Sequence, residues 1–154
     1  MPVVIQLIME CVHEVQQTPE QLVLVVGKPG SGKSKILREL AGMRGWDYVE
    51  CLTLVTEELL ELVPKARPQQ ALAIMAKILA ELNAEVVLLD GIQVFFAPVL
   101  HLDPLLLLRQ LSKRQTIIAA WPGEYDGENL LFRQTGQEQN LSFATGVSKV
   151  ISLD

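Results

Sequence analysis

Histidine, cysteine and early basic residues are scarce in this chain, and each scarcity removes a class of function. The two histidines, His13 and His101, stand apart, so no histidine-centred metal or catalytic cluster is expected. The two cysteines, Cys11 and Cys51, form no C-x-x-C pair and read as free thiols of a reducing cytoplasm, not as a disulfide framework. No Lys or Arg precedes Lys28, which removes the basic start of a secretory signal. No apolar stretch reaches the length of a membrane span; the longest, Val94–Leu100, is interrupted by Pro98. A net charge of −5 gives no basic surface of the kind a nucleic-acid binder working alone carries, and leaves direct nucleic-acid contact open. Phe95 and Phe96 read as core or interface residues before they read as base-stacking platforms.

What is present is a sizeable apolar fraction. Of 154 residues, 49% are hydrophobic and 20% charged, which suits one domain, 1–154, with a substantial core. Its first part, 1–20, is expected to form an amphipathic helix. Val4, Ile5, Ile8, Cys11, Val12 and Val15 fall on one face, with Gln6, Glu10, His13, Glu14 and Gln17 opposite. That face can pack on the sheet or meet a partner, and packing is the commoner arrangement. The nucleotide-binding core would then be 21–154.

The most informative string is Gly27-Lys28-Pro29-Gly30-Ser31-Gly32-Lys33-Ser34, which fits G-x-x-x-x-G-K-[S/T] at every fixed position. The apolar run Leu22–Val26 precedes it. Ile36, Leu37 and Leu40 follow at helical spacing, with Gly42 and Gly45 as stop signals. In a strand–turn–helix the glycines let backbone N–H groups converge on an anion at the positive end of the helix. Gly30 and Gly32 are expected to need backbone angles closed to other residues. Pro29 stiffens the loop. Lys33 would reach the β- and γ-phosphates, and the Ser34 hydroxyl would hold Mg²⁺. Lys28, Lys35 and Arg38 add positive charge around the same loop.

A second acid should end a buried strand. Val86-Val87-Leu88-Leu89-Asp90 supplies four apolar residues and a carboxylate, so Asp90 is assigned with Ser34 to Mg²⁺. Other expected elements are a strand Tyr48–Cys51, a helix from Thr56 ending before Pro64, a linker Pro64–Pro68 and a helix Gln70–Leu82. They are followed by a loop over 91–103, a helix opening at Asp103-Pro104, a strand Thr116–Trp121 closed by Pro122-Gly123, and a last strand Val147–Leu153. Within the polar, glycine-rich stretch 124–146, Asn129–Arg133 reads as one arm of a hairpin. Alternating strands and helices imply an α/β fold with a five-stranded, mainly parallel sheet covered on both faces.

The order of motifs suits the ATPase branch of phosphate-loop folds: an AAA-like core without a lid domain, in which the later strand inserts between the two motif-bearing strands. No N-K-x-D guanine-reading motif is present, and 122–146 holds only Arg133 where a small-molecule kinase carries an arginine-rich lid. ATP with Mg²⁺ is therefore the expected ligand. Many such ATPases have Glu after the metal-binding Asp; here it is Gly91. Many end the next strand in a polar residue; here it ends Trp121-Pro122. Binding is expected to be sound and hydrolysis weak alone, with Glu50 as a substitute base or a partner supplying one. Arg109, Arg114 and Arg133 are the candidate arginine fingers, acting across a subunit boundary if the chain forms a homo-oligomer. The alternatives are a small-molecule kinase and a non-hydrolysing interaction module.

Leu22–Ser34, the run Val86–Phe96 and the stretch from Asp103-Pro104-Leu105 to Ala119-Ala120-Trp121 together resemble BrxF, the small phosphate-loop ATPase of type 3 bacteriophage exclusion (BREX) systems. Where that family has a polar residue after the tryptophan, this chain has Pro122. The resemblance implies a bacterial cytoplasmic phage-defence protein. Its partners would be the other system components: a large ATPase, a DNA methyltransferase, a helicase and a phosphatase-like protein.

Overall fold

The structure is a computed structural model and describes residues 2–27, 30–51, 67–82, 85–92, 104–125, 129–133, 140–144 and 149–153. The run Leu22-Val23-Leu24-Val25-Val26 is apolar at every position because both its faces are covered, as parallel strands require. It forms β1 (Leu22–Gly27), buried throughout. Side chains alternate along a strand. Leu22, Leu24 and Val26 therefore enter one core layer, and Val23 and Val25 the other.

Around β1 the chain lays β2 (Asp47–Glu50), β3 (Val86–Asp90), β4 (Thr116–Pro122) and β8 (Lys149–Ser152) into one parallel sheet, in the order β2-β3-β4-β1-β8. β4 lies between β1 and β3, the insertion expected from the motif order. All five strands run the same way, so Gly27, Glu50, Asp90 and Pro122 end at one edge of the sheet.

Helices cover both faces. On one side α1 (Pro2–Val15) and α2 (Lys33–Arg44) bury Ile8, Val12, Val15, Ile36, Leu37 and Leu40 against Val23, Val25, Leu88, Ile118 and Ile151. The apolar face of α1 thus packs on the sheet, over β1 and β8, and Lys149 pairs with Glu14 at 3.0 Å. On the other side α3 (Arg67–Leu82) and α4 (Pro104–Leu111) bury Met75, Leu79, Leu105, Leu108 and Leu111 against Leu24, Val87, Leu89, Ile117 and Trp121. A second, antiparallel sheet, β5 (Glu124–Tyr125), β6 (Asn129–Arg133) and β7 (Asn140–Ala144), carries Leu130 and Tyr125 onto this layer.

Several boundaries differ from the sequence reading. The first helix stops at Val15, and residues 16–20 form turns. Gly42 does not stop α2: it lies within the helix, which ends at Gly45, where a φ of 68° sends the N–H back to Ala41 O at 2.9 Å. The second strand sits one residue earlier than Tyr48–Cys51. α3 begins at Arg67, so Pro68 is helical and not linker; proline's fixed φ and missing N–H suit a first helical turn. β4 includes Pro122, which pairs with Gly27 at the strand's end, where a missing donor is tolerated. Asn129–Arg133 is a hairpin arm, as expected, and is also the middle strand of three. The last strand ends at Ser152, one residue before the expected Leu153, and its expected first residues 147–148 lie outside the described residues. The expected helix at Thr56, the linker at Pro64 and the loop bearing Phe95, Phe96 and Pro98 lie outside the described residues. Among the described residues, no helix is long and apolar enough to cross a membrane.

Candidate functional site

The glycine-rich turn joins the end of β1 to the start of α2, at the same edge as Asp90. Gly30 and Gly32 take φ values of 85° and 100°, the left-handed region in which a side chain is strained. Gly27 is small for another reason. A Cβ there would lie 2.2 Å from Ser31 Oγ and 3.0 Å from Ser31 Cβ, so the serine folds into space that only a glycine leaves. Ser31 Oγ is buried and has no hydrogen-bond partner among the described residues. A buried, unsatisfied hydroxyl in a glycine turn is an available donor for an anion. Lys33 Nζ donates to Gly27 O at 2.6 Å, which lays the ammonium over the turn. The same carbonyl accepts Gly123 N–H, N to O 3.2 Å, from the residue after β4.

Asp90 ends β3 on the face that α2 covers, and it is 7% exposed. Its carboxylate is held from three sides. The Ser34 side chain, at the first turn of α2, hydrogen-bonds to it. Tyr48 Oη donates to Oδ2 at 2.5 Å, and Gly91 N–H to Oδ1, with N and O 2.9 Å apart. Burial pushes the Asp90 pKa up, but these three hydrogen bonds and the charge of Arg38 outweigh it and leave the carboxyl below its ordinary range. The phenol of Tyr48 is pushed up to about 12, by burial first and then by its bond to Asp90. Arg38, one helical turn beyond Ser34, places its guanidinium 5.7 Å from the centre of the Tyr48 ring.

Of the residues singled out from sequence, Gly27, Gly30, Ser31, Gly32, Lys33, Ser34 and Asp90 converge on this edge. Lys35 is exposed on the outer side of α2. Lys28 and Pro29 lie outside the described residues. Glu50 is the register partner of Asp90 on the neighbouring strand, so the two carboxylates end adjacent strands. Gly91 has a φ of 67°, a conformation that disfavours the glutamate many ATPases carry there. Trp121 is fully buried in the opposite core layer, facing away from Asp90, and Pro122 beside Gly27 offers no polar side chain.

The arginines are elsewhere. Arg109 bonds Glu20 through Nε and Nη2, both at 3.1 Å to Oε1, before the start of β1. Arg114 is exposed in the turn leading into β4. Both therefore lie toward the sheet edge opposite Asp90. Arg133 ends β6, paired with Asn140, and its side chain lies outside the described residues.

Tyr48 was not singled out from sequence. Its only signal was its place two residues before Glu50, on the same side of a strand. That acquires meaning once the register sets β2 beside β3.

The Ser34 and Asp90 oxygens form a hard, oxygen-only donor set of the kind Mg²⁺ uses together with phosphate. The orphaned Ser31 hydroxyl and the Lys33 ammonium suit the phosphate side of such a ligand. The residues present therefore fit a magnesium-bound phosphate.

No protein-family model matches the chain, and no curated protein matches it. Among solved structures, a chain from "Structure of C. elegans PCH-2" is similar at 13% identity with a TM-score of 0.46. The match covers 80% of this chain and 37% of that one, so this chain spans well under half the length of that neighbour.

Proposed function

We propose that this chain is an ATP-binding phosphate-loop protein, with an AAA-like core, that acts as a partner-stimulated ATPase or nucleotide switch. One observation carries the reading: Ser34 of the glycine-rich turn and Asp90 of β3, far apart in sequence, are hydrogen-bonded to each other. The strand order, with β4 between the two motif strands, supports the ATPase branch over the kinase branch. The likeness of Leu22–Ser34, Val86–Phe96 and Ala119–Trp121 to BrxF supports a place beside the other components of a phage-defence system.

In this reading the turn's N–H groups and Ser31 receive phosphate oxygens, and Lys33 leaves Gly27 O for the β- and γ-phosphates. Ser34 and Asp90 hold Mg²⁺. The ion, when bound, neutralises charge on the phosphate oxygens. Water must then be oriented by an acid other than residue 91. Glu50, next to Asp90 on β2, is that acid within the chain. With the nearer position taken by Gly91, turnover is slow until a partner completes the site.

The test measures ATP binding and turnover for the wild type and Lys33→Ala, alone and with candidate partner proteins. Binding by the wild type that Lys33→Ala weakens about 10- to 100-fold, the worth of one charge-assisted contact, supports the reading. Slow turnover that a partner accelerates supports the switch. Absence of binding by the wild type overturns both, and phosphate transfer to a metabolite favours a kinase.

A further inference from the structure

We infer that Tyr48 is a positioning residue for the metal-binding carboxylate, holding Asp90 in the orientation that lets it share a divalent cation with Ser34. This rests on the magnesium–nucleotide reading above and adds to it a residue that no phosphate-loop motif contains.

The argument begins with the register. Tyr48 stands opposite Leu88 and Glu50 opposite Asp90, so Tyr48, Glu50 and Asp90 share the face that α2 covers. A diagonal neighbour in a sheet lies within reach of an aromatic side chain. Tyr48 uses that reach: its hydroxyl, and not its ring, meets Asp90, at 2.5 Å from Oδ2. Gly91 N–H holds Oδ1. Each carboxylate oxygen thus has its own fixed donor, and rotation of the group would break both bonds. Such outer hydrogen bonds orient a metal-binding carboxylate, and losing one typically costs about 10- to 100-fold in metal affinity.

The chemistry of the donor matters as much as its position. A phenol is neutral and leaves the full negative charge of Asp90 for a cation. A lysine or arginine in the same place would cancel that charge and compete with the metal. The nearby cation, Arg38, instead lies over the Tyr48 ring, 5.7 Å from its centre. Ser34 and Arg38 are one turn apart on α2. The helix that supplies the metal-binding hydroxyl therefore also braces the tyrosine that aligns the carboxylate.

The experiment uses the full chain and a fluorescent ADP, titrated in EDTA and at a series of Mg²⁺ concentrations, for the wild type and Tyr48→Phe. Thermal melts of both proteins report folding. The expected result is a Mg²⁺ midpoint raised about 10- to 100-fold in Tyr48→Phe with unchanged metal-free affinity. An unchanged Mg²⁺ midpoint overturns the inference while leaving the nucleotide reading intact. Equal loss with and without Mg²⁺ marks a merely structural role and also overturns it. No binding by the wild type under any condition overturns the nucleotide reading, and this inference with it.

Discussion

The side chain of Ser34, in the first turn of α2, is hydrogen-bonded to the carboxylate of Asp90, the last residue of β3. Two elements bring them together. The glycine turn sets the start of α2 over the sheet edge, and β4 spaces β3 from β1. Ala120 of β4, small and buried, lies in the layer beneath α2, between Val25 and the strand of Asp90.

Gly27→Ala introduces a Cβ where Ser31 Oγ already lies, 2.2 Å away. Overpacking of this kind costs about 1–3 kcal/mol. Adding Ser31→Gly to the same chain removes both clashing atoms and should return most of the loss. Denaturant unfolding of the two single variants and the double variant gives the coupling directly. Simple additivity would show that the close approach is not what requires glycine at 27.

Gly91→Glu restores the acid that many ATPases carry at this position, yet it should not raise turnover. Residue 91 has a φ of 67°, where a side chain costs about 1–3 kcal/mol. Its N–H is committed to Asp90 Oδ1. The expected outcome is a lower melting temperature with ATP turnover at or below the wild-type rate. Phosphate release that rises with the variant would place the missing catalytic acid at 91 after all.

Arg109→Ala should weaken the fold by about 1 kcal/mol and leave nucleotide affinity unchanged, because its partner Glu20 lies before β1, away from the glycine turn. Unfolding and fluorescent-nucleotide titration of the isolated chain check the two halves. A specific loss of affinity without loss of stability would contradict the assignment.

The acid side of the stability curve should depend on Asp90. Its folded-state pKa is lowered: burial works against this, but the bonds from Ser34, Tyr48 and Gly91 and the charge of Arg38 prevail. A depressed carboxyl contributes stability above its unfolded pKa of about 3.9 and loses it as pH falls through the folded value. The advantage of wild type over Asp90→Asn should therefore be constant near neutrality and shrink below about pH 4. Melting temperatures of both proteins between neutral and acid pH measure it. A difference that grows toward acid would mean the carboxyl is not stabilised in its charged form.

The glycine turn, β1 and β3 were legible because their signals are local. An apolar strand, a turn that needs open φ values and a helix follow one another within 22–44. The place of Asp90 at the end of a buried strand was legible because a carboxylate closes four apolar residues. Tyr48 was not, because its meaning lies in a pairing between residues 42 apart. The start of α3 was misread because proline breaks a helix anywhere except its first turn, and Pro68 stands in that turn. The hairpin arm Asn129–Arg133 was legible, but its second neighbour β5 was not, because two residues carry no periodicity to detect.

Gly27 O accepts two donors, Lys33 Nζ and Gly123 N–H. The second acceptance changes what the first can do. A buried carbonyl with one partner would resist giving it up, since an oxygen left bare inside a protein costs about 1–3 kcal/mol. With Gly123 still in place, the ammonium can swing away without stranding the oxygen. On the proposed reading, phosphate binding at this turn would move the lysine from the Gly27 carbonyl to a phosphate oxygen. Part of its free energy would be the difference between a phosphate oxygen and a peptide oxygen as hosts for that ammonium. An uncharged ligand would gain little by that exchange, so on the proposed reading the turn would favour anionic charge.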